Sequence, residues 1–185
     1  MGKTYAKLEP AQIAFIRRQK LFFVATAPLS ADGHVNLSPK GYDSLAIIDE
    51  RTIAYADLGG SGAETHAHVR ENGRITLMFC AFEGAANILR VYGRGEATAF
   101  DAPGFAEKLA LFPAIPRARA VISLHVESVA DSCGWGVPFF DYRGERDQLM
   151  RWVEAKPYNE WAARRRQANA RSIDGLPALE PTAED

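Results

Sequence analysis

The chain has 185 residues, 47% of them hydrophobic, enough for one ordinary buried core, and its 22 Lys and Arg against 23 Asp and Glu leave a formal charge of -1. That balance removes any global attraction to nucleic acid or to an anionic membrane, so an anionic ligand must be held by a local site. The opening MGKTYAKLEPAQ lacks the apolar stretch of a secretory signal, and no run approaches the roughly 18 apolar residues of a membrane span, so a cytoplasmic protein is expected.

In chain order, Glu9 and Pro10 open a short amphipathic helix through AQIAFIRRQK, with Ile13, Phe15 and Ile16 on its apolar stripe. LFFVATAPL and VNLSP, separated by the turn SADGH, predict a hairpin, and SLAIID and TIAYADL, split by the charged DER, predict a second pair of strands. RITLMFCAF, NILRVYGRGEATAF and AVISLHVESVAD continue the sheet, with a short helix, FAEKLALF, entered near Asp101 and Pro103. Six or seven short strands joined by tight connections favour a mainly β fold, an antiparallel barrel with peripheral helices, over a doubly wound sheet. Beyond the aromatic GWGVPFFDYRGERD, two helices are predicted, one ending near Lys156, and the SIDGLPALEPTAED tail reads as frayed or dependent on a partner. The basic WAARRRQANAR reads as a solvated helix face, so no nucleic acid is expected. The organisation is a domain over 1–150 and a C-terminal helical extension with an acidic tail over 151–185. Cys80 and Cys133 lie outside any CxxC spacing and read as buried thiols.

The run GGSGAETHAHVRENGR, residues 59–74, carries the chemistry. Ser61 and Glu64 have the spacing of a capping box, and Gly73 after Asn72 supplies a left-handed stop, so a helix of roughly three turns is specified. Glycines before a helix also let backbone amides approach a phosphate, and the Ser61 and Thr65 hydroxyls can point into the same cradle. No Lys-Ser/Thr follows at the spacing of a nucleotide P-loop, and a third glycine of a dinucleotide fingerprint is missing. The positive charge is sought in NLSPKG, where Lys40 follows Ser38 by two residues. His66 and His68 are two apart on a helix and point to nearly opposite sides; they read as surface histidines, and no metal is expected. No GxSxG elbow or cysteine nucleophile motif assembles a hydrolase, and catalytic residues are not identified.

Taken in order, LFFVATAPLSADGHVNLSPKGYD, AYADLGGSGAETHAHVRENGRITLMFCAFEG, ILRVYGRGEA and SCGWGVPFFDYRGERD resemble the pyridoxamine 5'-phosphate oxidase-like proteins, the flavin-binding split barrels. The resemblance implies a six-stranded, Greek-key type antiparallel split barrel, a homodimer, and FMN at the subunit interface serving hydride transfer to or from a small-molecule substrate. Carried onto this sequence, it assigns Ser38, Lys40, Ser61, Glu64 and Thr65 to the flavin phosphate and sets Asn36 and Asp57 along the same cleft. It also sends Arg90 toward the isoalloxazine ring and brings Trp135 from the other subunit. True pyridoxamine phosphate oxidases carry an arginine where this chain has Val35 and a basic pair where it has Glu64 and Thr65, so vitamin oxidation itself is not implied. A flavin-sequestering protein and a deazaflavin-dependent reductase are the alternative readings.

Overall fold

The computed structural model describes residues 2–179. Helix α1, Pro10–Arg18, starts with Pro10 at its first turn, and the Gln12 side chain accepts from the Glu9 backbone N–H at 2.9 Å. Phe15 and Ile16 are buried while Ile13 is only partly so, because Gln12 takes a place on the inner face. Strand β1 is the two-residue Thr4–Tyr5, too short to show a periodicity in the sequence.

The seven strands read from alternation are all present: β2 Phe22–Thr26, β3 Asn36–Lys40, β4 Leu45–Asp49, β5 Thr52–Asp57, β6 Arg74–Cys80, β7 Ile88–Ala99 and β8 Ala120–Ser132. With β1 they form one antiparallel sheet of eight strands, ordered β3-β2-β6-β7-β8-β5-β4, β1 pairing with β8 beside this path. The expected split barrel is therefore the architecture, with more strands than the six implied. Strands β6, β7 and β8 are sequential neighbours and β5 returns beside β8, the Greek-key order. The β4–β5 turn is fixed locally, since the Arg51 N–H donates to the Asp49 side chain at 2.7 Å. Strand β7 shifts register at Tyr92/Gly93, and only glycine fits there: a Cβ on Gly93 would stand 2.0 Å from the His125 carbonyl oxygen.

Inside the curl, Val24, Ile53, Leu77, Leu89, Val91, Ile122 and Leu124 are buried together, and Phe22 stacks on Phe79 with ring centroids 5.8 Å apart. Burying each such side chain contributes about 1.5–3 kcal/mol, which makes this cluster the main source of stability. Helix α2, Glu64–Asn72, lies between β5 and β6 and ends as expected at Gly73, whose φ of 70° is left-handed and whose N–H donates to the Val69 carbonyl. Its start differs from expectation: the N-cap is Ala63, and no side chain caps it. The Ser61–Glu64 capping box does not form. The Glu64 carboxylate instead accepts from the Ile173 backbone N–H at 3.2 Å, drawn off by a segment distant in sequence.

Helix α3 is Phe105–Leu109, α4 is Gln148–Glu154 and α5 is Tyr158–Ala168. The two C-terminal helices split near Lys156, as the sequence indicated, with Pro157 at the break. Trp161 and Leu179 pack with Phe100, and Ala178 packs with Ala63 and Ala67 of the α2 start. Residues 172–179 thus lie against the barrel, unlike the frayed tail expected from their composition; 180–185 fall outside the described residues. His66 and His68 are buried rather than surface residues, because α2 is packed on both sides. Cys80 is buried as expected, but Cys133 is exposed, one residue past the end of β8. No helix among the described residues is long and apolar enough to cross a membrane.

Candidate functional site

Three segments meet beside the α2 start: the inward side of β3, the end of β5 and the glycine loop. They enclose a cavity of about 230 Å³ lined by Asn36, Ser38, Lys40, Gly59–Gly62, Glu64, Thr65 and Arg119. Six of the nine residues marked in the sequence (Asn36, Ser38, Lys40, Ser61, Glu64 and Thr65) therefore lie on one wall or another. A seventh, Asp57, sits directly behind.

Asp57 is the electrostatic hub. Its carboxylate is buried, with Lys40 Nζ 3.1 Å from one oxygen and Arg119 Nε 2.9 Å from the other. Burial alone would raise its pKa, but Arg119 and then Lys40 outweigh that cost and hold the carboxyl well below the usual carboxylate range. Two cations share the Asp57 anion, and the charge left over is balanced in formal count by the Glu64 carboxylate on the cavity wall. The remaining Arg119 reach is to the Gly62 carbonyl, at 2.6 Å.

A second network fixes the hydroxyls. Asn36 Nδ2 donates to Thr65 Oγ1 at 2.9 Å and to Thr26 Oγ1 at 3.2 Å, and Thr26 Oγ1 meets His68 Nδ1 at 3.0 Å. Strands β2 and β3 are thereby pinned to the first turn of α2. His66, on the same helix, is pushed down to a pKa of about 4, first by burial, with Arg119 and Arg70 adding to the effect and Asp57 opposing it. Ser38 Oγ is buried and finds no hydrogen-bond partner in the described chain.

Among the described residues, the backbone N–H groups of Gly60, Ser61 and Gly62 are given no acceptor by the chain, and the first-turn amides of α2 are uncapped. Gly59 has φ 96°, so the loop turns where only glycine is unstrained. This is the donor set that phosphate oxygens and polyol hydroxyls need: uncommitted amides at a helix start, a buried hydroxyl, and cations within reach. The flavin phosphate and its ribityl chain fit these residues by donor chemistry. At about 230 Å³ the cavity by itself is smaller than the roughly 300–1,000 Å³ of sites that enclose a whole ligand, so a three-ring system would extend beyond its walls. Next to it a shallower cavity of about 610 Å³ shares Asn36, Ser61, Gly62 and Glu64 and is walled by Arg171, Ser172 and Ile173.

Arg90 and Trp135 stand apart from this group. Arg90 pairs with Met78, which pairs with Phe23, which pairs with Pro39, placing it three strands, about 14 Å, from β3. Lys40 occupies the neighbouring row with Phe22, Phe79 and Leu89, so the two cations point to opposite faces of the sheet. Arg90 donates to Ser132 Oγ at 3.2 Å, and Trp135 is 86% exposed. Within one chain neither reaches the cavity.

Arg119 is the functional residue that the sequence reading missed. Its signal was PRARA, two arginines directly before the apolar start of a strand, Ala120–Ile122, where a cation must either reach solvent or find a buried acid. Arg165 and Asn169, which reach the loop from α5 and its C-cap, gave no local signal.

A family model described as pyridoxamine 5'-phosphate oxidase matches residues 8–133 of the chain. The chain is 37% identical over 186 residues to the pyridoxamine 5'-phosphate oxidase family protein ustO of Aspergillus flavus, covering 91% of this chain and 74% of that protein. Among solved structures it resembles HupZ of Group A Streptococcus, with a TM-score of 0.53 and 26% identity over 66% of this chain and 91% of that one. It also has the fold of a Lactobacillus delbrueckii protein that provisionally carries the oxidase name, with a TM-score of 0.51 and 20% identity over 68% of this chain and 94% of that one.

Proposed function

The chain belongs to the pyridoxamine 5'-phosphate oxidase family, and from that premise we propose that it is a flavin-dependent oxidoreductase that holds FMN by its phosphate in the cavity beside Lys40. The observation that carries this reading is the pairing of uncommitted loop amides with two cations that share the single buried carboxylate of Asp57. When bound, the flavin supplies hydride transfer to or from a small-molecule substrate.

The chain's own contribution is binding and positioning. Lys40 and Arg119 offset phosphate charge, Ser38 Oγ and the Ser61 hydroxyl offer hydrogen bonds, and the Asn36–Thr65 link keeps the helix start against β3. Glu64 and Asp57 balance those two cations in formal charge, so the grip on a dianionic phosphate is weaker than an all-basic cradle would give. The small cavity and the outward-facing Arg90 support a homodimer in which the rest of the flavin lies between subunits, with Arg90 and the exposed Trp135 available to it.

The test is the visible spectrum of the purified protein, with the released cofactor identified by mass. Flavin absorption and FMN in the released fraction are expected. A colourless protein that gains no thermal stability from FMN, riboflavin or a deazaflavin overturns the reading, and bound flavin that no donor reduces leaves sequestration as its role.

A further inference from the structure

Gly60 is held from outside the family-matched region. Its carbonyl oxygen accepts from Arg165 Nη1 at 3.1 Å and from Asn169 Nδ2 at 3.2 Å, two side chains one helical turn apart at the end of α5. The same Arg165 nitrogen lies 3.3 Å from Asn169 Oδ1, so the two side chains form one unit around that carbonyl. Asn169 is fully buried and Arg165 nearly so, its guanidinium 4.7 Å from the Trp152 ring centroid. Arg119 holds the next carbonyl but one, that of Gly62, and Gly59 runs between the arms of the two arginines, its missing Cβ 3.5 Å from Arg119 Cδ and 3.6 Å from Arg165 Cδ.

The consequence follows from peptide planarity. The C=O of Gly60 and the N–H of Ser61 belong to one trans peptide and point in opposite directions. Arg165 and Asn169 lie outside the cavity lining, so a Gly60 carbonyl turned toward them turns the Ser61 N–H away from them, and Ser61 itself lines the cavity. A loop of four residues containing three glycines has little preference of its own for that orientation.

We propose that Arg165 and Asn169 are positioning residues for the phosphate site: they lock the Gly60 peptide so that the Ser61 amide donates to a bound phosphate group. This rests on the phosphate reading of the cavity, and it makes the C-terminal extension part of the ligand site rather than an appendage.

The variant Asn169→Leu removes a donor to Gly60 without changing charge, which separates orientation from electrostatics. In fluorescence titrations it weakens FMN about tenfold, the loss expected for one hydrogen bond to a charged group, and leaves riboflavin within about twofold. The Ser61 amide resonance shifts on adding inorganic phosphate to the parent protein and stays still in the variant. If Asn169→Leu does not fold, Arg165→Gln, which retains a donor, keeps the FMN preference over riboflavin that Arg165→Met loses. Equal weakening of FMN and riboflavin, or a Ser61 amide that responds to phosphate equally in parent and variant, overturns the proposal. A parent protein that prefers FMN alongside an equally selective variant leaves the flavin reading intact and removes only the positioning role. A parent that binds no flavin, yet shows the phosphate response that the variant lacks, does the reverse.

Discussion

The Arg119 guanidinium meets the Asp57 carboxylate at 2.9 Å with both side chains withdrawn from water, and Lys40 approaches the other oxygen of the same carboxylate at 3.1 Å. Three strands are joined there: β3 through Lys40, β5 through Asp57 and the entry to β8 through Arg119. Because a buried carboxylate without a partner is costly, the pair that shapes the cavity also fixes the strand ends that frame it.

Replacing Arg119 by Met is expected to cost about 3 kcal/mol, the low end for breaking a buried ion pair, since Lys40 stays to compensate Asp57. Arg119→Lys restores the charge but not the fork that reaches both Asp57 and Gly62, so it recovers only part of that loss. Urea unfolding midpoints at constant slope measure both. A loss for Arg119→Met below about 1 kcal/mol would place the pair among ordinary surface bridges.

Stability depends on pH in a window set by His66. Its folded pKa of about 4 lies below the ordinary 6.5, so the unfolded chain takes up the proton first as pH falls. The contribution is fully present above pH 6.5 and is lost between pH 6.5 and 4, about 3 kcal/mol in all. Asp57, whose carboxyl is held down, adds a loss that starts lower, as pH drops through the unfolded carboxylate range. Unfolding free energies at pH 7 and pH 4.5 should therefore differ less in His66→Gln than in the parent. An unchanged difference refutes the assignment.

Legibility in the sequence followed locality. The strands carry their own alternation, and Gly73 after Asn72 announced a helix end, so both were readable. Lys40 and Asp57 lie at strand ends of motifs that occur in order along the chain. What stayed hidden depends on partners far away: Glu64 looks like half of a capping box until Ile173 claims its carboxylate, and Arg165 bonds Gly60 across 105 positions. His66 and His68 looked like surface residues because the periodicity of α2 is weak, and only its packing against the strands on one side and residue 178 on the other buries them. The two-residue β1 carries too few positions to register at all.

The two thiols should separate cleanly. Burial pushes the Cys80 thiol up, offset only partly by Arg90, and keeps reagents out, whereas Cys133 is exposed after β8. A thiol-specific chromogenic reagent is expected to label one cysteine per chain promptly and the second only on unfolding, with Cys133→Ser removing the prompt phase. Two prompt equivalents would mean that β6 opens under native conditions.

Lys40 gives the sharpest test of what the cavity recognises. Arg119 is committed at both ends, to Asp57 and to the Gly62 carbonyl, whereas Lys40 spends one donor on Asp57 and lines the cavity with the rest of its ammonium. Removing it leaves Asp57 paired with Arg119, so the fold should tolerate Lys40→Ala, while the phosphate loses its most accessible counter-charge. FMN affinity is expected to fall about tenfold or more, riboflavin affinity to change by less than about twofold, and the salt dependence of FMN binding to flatten. Lys40→Arg should retain most of the FMN preference. Equal losses for FMN and riboflavin would assign Lys40 to the architecture of the β3–β5 contact alone, and the phosphate would then have to be sought in the neighbouring cavity walled by Arg171.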